Sequence, residues 1–208
     1  MGRNKEVNDK MKEERRERIL VGALELFALN GLAGTRISDI ARHTGMSNGL
    51  IYHYFASKEE IYTELIRTAL NKIQDACQAL ESMELSASEK IKYALDRLVY
   101  TIHTKLEAGL FHLLVTQAIA AQNIPEEAAA LLEDKRKIPH DTIVRIIKEG
   151  QKMGTIRQGR AEDLAFFFWV NINGIAQQQV MYRTKARQPQ LELLYALFFT
   201  EYVETTDA

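Results

Sequence analysis

From Thr35 to Phe55 the chain reads TRISDIARHTGMSNGLIYHYF, and its polar residues are spaced so that an outside partner could reach them together. Ile37, Ile40 and Ala41 recur at helical spacing, and Leu50, Ile51, Tyr54 and Phe55 do so again after Ser47. Each short helix therefore buries one face, and the second presents Asn48, Gly49, Tyr52 and His53. Such groups at a helix start suit nucleic acid. Asparagine can pair bidentately with adenine, and backbone N–H groups at a helix start bind phosphate without formal charge.

Other chemistry has weaker support. His103 and Glu107 are four apart and share a helical face, but His112 lies five further on and falls on a different side, so three convergent metal ligands are not formed. There is no Gly-rich phosphate loop and no Gly-x-Ser-x-Gly elbow. Cys77 is the one cysteine; it sits among Leu70, Ile73, Ala76 and Leu80, as a buried small hydrophobe would. No metal, cofactor or enzyme activity is expected.

The elements that position the polar groups follow from the same spacing. Thr35 is expected to cap the helix that starts at Ile37, and Gly45 to end it in the left-handed conformation that glycine adopts without a Cβ clash. Ser47 caps the next helix. A first long helix, about 13 to 29, carries the stripe Ile19, Leu20, Ala23, Leu24 and Phe27 and braces the pair. Ser57 caps a fourth helix of about 58–81, with Glu59 and Glu60 in its first turn, where they suit the helix dipole.

Tyr52-His53-Tyr54-Phe55 followed by Lys58-Glu59-Glu60 resembles the TetR family of repressors, closely from about Arg15 to Ile73 and beyond that in helical layout. The run 149–157 is similar to a turn of many members. One departure is Asn48, where many members carry a base. The resemblance implies a DNA contact set of Thr35, Arg36, Ser47, Asn48, Gly49, Tyr52, His53, Tyr54 and Lys58, the lysine reaching a phosphate. It implies a ligand-responsive repressor that binds a palindromic operator as a homodimer; a cytoplasmic location is expected from the sequence, whose longest apolar run, Leu164 to Val170, is too short to span a bilayer.

The fold expected is all-α, with about nine or ten helices: a DNA-binding head over residues 1–60 and an effector-binding and dimerisation domain over 61–208. Net charge is −1; residues 1–60 carry ten Lys+Arg against nine Asp+Glu, a slight basic bias. Arg15, Arg16 and Arg18 could widen the DNA footprint or form a solvated face. The start lacks the apolar core of a signal peptide. At 46% hydrophobic and 26% charged residues, the composition is that of a globular chain rather than a disordered one.

The last two helices, about 162–182 and 190–202, are apolar nearly all round and so are buried on more than one side. A second subunit is expected to supply the other side, through Phe167, Asn171, Gly174, Leu191, Leu194, Tyr195, Phe198 and Tyr202. A pocket for a small, mainly apolar effector is expected among Tyr93, Tyr100, His103, Phe111, His112, Gln117, Phe168, Trp169, Asn173 and Gln177. Two other readings stand beside the repressor: a helical dimeric binding protein whose head no longer engages DNA, and an enzyme.

Overall fold

The computed structural model describes residues 2–187 and 189–200. Among these are ten α-helices: α1 (Gly2–Asn30), α2 (Ile37–Thr44), α3 (Asn48–Tyr54), α4 (Lys58–Ser82), α5 (Ala87–Thr104), α6 (Leu106–Ala120), α7 (Glu126–Lys135), α8 (Ile138–Lys152), α9 (Ala161–Tyr182) and α10 (Leu191–Phe198). The all-α reading holds. None of the described helices is long and apolar enough to cross a membrane.

The start and stop signals act where the residue chemistry places them. Gly45 ends α2 at φ 67°, and its N–H reaches the Ala41 and Arg42 carbonyls. The hydroxyls of Ser47 and Ser57 accept from the Leu50 and Glu60 N–H groups. At the α5 start Ser86 and Glu89 form a reciprocal capping box. Thr35 behaves differently from expectation. Arg36 is the N-cap of α2, and its N–H donates to the Asp39 carboxylate at 3.0 Å. The first helix also starts earlier than expected, at Gly2, because its charged run contains no helix breaker.

Two cores hold the molecule. The first gathers Phe27, Ile40, Ile51, Phe55, Ile61 and Ile66 of the head with Leu110, Leu114, Leu132 and Val180. The division expected between residues 60 and 61 falls inside this core, since the first half of α4 is part of it. The second core joins Ile91, Leu95, Ile147, Phe168, Ile172 and Phe198. Cys77 is buried on α4, and burial, the largest influence on it, pushes its thiol pKa up, which leaves it a poor nucleophile.

The second core claims residues that were expected at a subunit interface. Leu194, Tyr195 and Phe198 are buried within the protomer. Tyr195 donates its hydroxyl to Asp96 and accepts from the Lys92 ammonium at 3.0 Å, which ties α10 to α5. That bond is the chief cause of the raised Lys92 pKa. Arg157 fastens the far end of α10: its N–H donates to the Phe198 carbonyl and its guanidinium to the Ala196 carbonyl. Tyr202 lies outside the described residues.

Candidate nucleic-acid interface and internal cavity

The surface expected to meet DNA is built by α2 and α3 seated on α1. Arg36, Ser38, Asn48, Tyr52 and Lys58 border one shallow groove. Tyr52 is 57% exposed. Ser47, Asn48, Gly49 and His53 are also exposed, while Tyr54 is half-buried and meets His53 edge to face. The spacing did not single out Ser38; its exposure next to Arg36 in the first turn of α2 brings it into this surface.

Two members of the expected contact set spend their polar groups on the head itself. Thr35 is buried, and its hydroxyl donates to the Gly31 carbonyl at 2.8 Å. Lys58 donates to the carbonyls of Leu32 at 2.8 Å and Thr35 at 2.9 Å. These carbonyls belong to the turn between α1 and α2, where the Leu32 carbonyl has only a long bond from the Thr35 N–H, at 3.4 Å, and one ammonium serves both. Thr35 holds the head together from inside, and Lys58 does so from the rim of the groove that it borders. Arg16 is partly diverted as well, lying over the Phe55 ring and 3.3 Å from Glu64, whereas Arg15 and Arg18 are exposed.

The brace depends on close approach. A Cβ on Gly22 would meet Thr44 Cγ2 at 2.5 Å, so α2 lies against α1 at a distance that only glycine permits. Glu25 adds a polar link: one carboxylate oxygen accepts from Arg183 at the end of α9, and the other lies 3.4 Å from His43 Nε2 on α2. Gln117 of α6 donates to the Ala28 carbonyl at the end of α1. The head is therefore tied to two helices, α6 and α9, that border a cavity open to solvent on one side.

That cavity is a cleft of about 270 Å³, open to solvent on one side, between α4, α6, α8 and α9. Of the residues expected around a pocket, Phe111, His112, Trp169 and Asn173 line it. Six do not. Phe168 belongs to the second core against Phe198, and Gln117 is spent on α1. Tyr93, Tyr100, His103 and Gln177 are exposed, because their positions on α5 and α9 face away. The remaining walls are Leu70, Ile73, Val115 and Ile119, with Thr116, Arg136, Pro139 and His140. An arginine and a proline at the α7–α8 corner carry no sequence signal for this role; only the fold brings them to Trp169. His112 Nδ1 sits 3.3 Å from Asn173 Oδ1, and burial, outweighing that contact, lowers the imidazole pKa, so the ring is held neutral.

A third surface is apolar and open. On α9, Phe166 (57% exposed), Phe167 (49%), Val170, Met181 and Tyr182 face outward, and Leu193 and Leu197 of α10 do the same. Gly174 also faces open space, whereas Asn171 is half-buried and turns its amide back to the Phe167 carbonyl. Leu191 is half-buried and packs on the second core.

Residues 19–65, the span of α1 to α4 that builds the head, match the family described as "Bacterial regulatory proteins, tetR family". The HTH-type transcriptional repressor KstR2 of Mycobacterium tuberculosis is 27% identical over 163 residues, 76% of this chain and 80% of that protein. The fatty acid metabolism regulator protein of Bacillus subtilis is 27% identical over 150 residues, 72% of this chain and 75% of that one. The solved structure of the ketosteroid transcriptional regulator KstR2 of M. tuberculosis has the same fold, with a TM-score of 0.69 at 24% identity over 90% of this chain and 96% of that one.

Proposed function

The head, residues 19–65, matches the tetR family, and from that premise we propose that the chain is a transcriptional regulator of this type rather than an enzyme and that it represses transcription by binding an inverted-repeat operator as a homodimer. A small, mainly apolar effector in the cavity beside Trp169 releases it. The observation that carries the reading is the Ser47-capped α3, whose apolar residues are turned into the head while Asn48, Gly49, Tyr52 and His53 stay exposed. Such a helix fits the major groove with its first turn toward base edges. Arg36 and the exposed Arg18 and Arg42 supply phosphate contacts.

The second subunit covers the open apolar face of α9 and α10. Large apolar side chains left exposed in this number on two helices of an otherwise well-packed protein favour an interaction surface. Two heads related by a two-fold axis read half-sites about one helical turn, ~34 Å, apart. The effector acts by differential affinity: filling the cavity shifts α6 and α9, and the Gln117–Ala28 and Arg183–Glu25–His43 links carry that shift to the head. A coupling of about 1–3 kcal/mol weakens operator binding roughly 5- to 150-fold.

Gel-shift titration against genomic fragments, followed by sequencing of the retained DNA, tests this. The expected result is a recurring inverted repeat bound by a dimer. Retention of no fragment over non-specific DNA would instead favour a helical binding protein with a disused head.

A further inference from the structure

The lining of the cavity carries a second message, about the effector's polar end. Arg136 and His140 approach it from the α7–α8 corner, while no aspartate or glutamate lines it. The acids nearest these two groups, Glu133 at 3.3 Å from Arg136 and Asp141 at 3.6 Å from His140, lie outside the lining in exposed pairs. Pairs of that kind are worth little and yield readily to a better acceptor. The Trp169 indole, another wall, has a buried N–H with no acceptor among the described residues. The unmet demand around the cavity is thus for acceptors and negative charge, and the rest is hydrocarbon: Leu70, Ile73, Val115 and Ile119.

Resting on the effector reading above, we propose that the effector is an amphipathic carboxylate. Its apolar body lies along α4 and α6 against Trp169, and its carboxylate is held at the mouth by Arg136, whose planar fork matches a carboxylate bidentately, and by His140. His112 and Asn173, already joined to each other, form the neutral inner wall. A cationic amphiphile finds no counter-charge here.

Trp169 is the only tryptophan of the chain, so its fluorescence reports directly on the cavity. The full-length protein is titrated with three compounds that share an eight-carbon chain: octanoate, 1-octanol and octyltrimethylammonium. Octanoate is expected to bind about tenfold or more tighter than octanol, as one charge-assisted hydrogen bond provides, and the ammonium compound weakest. R136Q, and more so R136Q with H140Q, should bring octanoate down to the affinity of octanol while leaving octanol unchanged. Both side chains are at the surface, so the thermal melt of each variant should match the wild type.

Equal affinity for octanoate and octanol, tightest binding of the ammonium, or a carboxylate preference that survives the double substitution overturns the head-group assignment while the cavity stands. If none of the three compounds perturbs Trp169, the carboxylate proposal falls, and the effector half of the proposed function falls with it. Operator binding is judged separately by gel shift.

Discussion

The head and the α9–α10 end dispose of their apolar residues in opposite ways. In α2 and α3, Ile40, Ala41, Ile51 and Phe55 are buried together, and the exposed large side chain is Tyr52, which carries a hydroxyl. In α9 and α10 the core takes Phe168, Ile172, Leu194, Tyr195 and Phe198, yet Phe166, Phe167, Val170, Leu193 and Leu197 are left outside. A small helix pair presenting polar groups suits a hydrated, charged partner, whereas a helix with two apolar faces needs two apolar neighbours, one of which is, on the function proposed above, a second chain. The two surfaces therefore answer to different perturbations.

The largest contrast is expected between Phe198→Ala and Phe167→Asp. Phe198 is sealed in the second core, and its truncation should cost about 3–5 kcal/mol, the usual penalty for emptying a buried aromatic site. A thermal or urea melt measures this. Phe167→Asp should leave the helical content of the protomer intact and abolish the dimer in sedimentation. A dimer that persists with Phe167→Asp would break the comparison at its second term.

Next comes Gly22→Ala. The added Cβ meets Thr44 Cγ2 at 2.5 Å, so α2 must move off α1, at about 1–3 kcal/mol for an overpacked contact. Operator affinity should fall with stability, because α2 carries Arg36 and sets the seat of α3.

Lys58→Ala and Asn48→Ala sharpen the division within the head. Loss of Lys58 takes the ammonium from both carbonyls of the α1–α2 turn, leaving Leu32 only the Thr35 N–H at 3.4 Å, and should cost about 1–3 kcal/mol in a melt. Asn48 is exposed at the start of α3. Its removal should leave the melt unchanged and cost about 1–3 kcal/mol of discrimination between operator and mismatched DNA. An unchanged melt for Lys58→Ala would return that lysine to the phosphate-contacting set.

The smallest effect concerns His112. Its folded pKa lies below the ordinary value, so the unfolded chain binds the proton more readily, and folding stability should decline as pH falls through about 6.5, the unfolded histidine pKa. His112→Gln should flatten that part of the stability–pH profile. An identical slope in the variant would remove the histidine from the account.

The amino-acid sequence by itself determined the elements whose causes are local. Ser47 and Ser57 at the starts of α3 and α4, Gly45 at the left-handed stop, and apolar residues at helical spacing act within a turn or two, so the spans and the outward residues of α3 were legible. What only the tertiary structure decided has partners far along the chain. Lys58 is spent on the head because its acceptors, Leu32 and Thr35, are brought beneath it by the packing of α1 on α4. Arg136 and His140 come to Trp169 only when the α7–α8 corner closes over α4 and α6. In α9 and α10 the pattern carries no phase, because a helix apolar on every side is compatible with any rotation about its axis. There the Tyr195–Asp96–Lys92 contact and the Arg157 clamp chose the inward face, and that choice left Phe167 and Leu193, rather than Phe198 and Leu194, exposed.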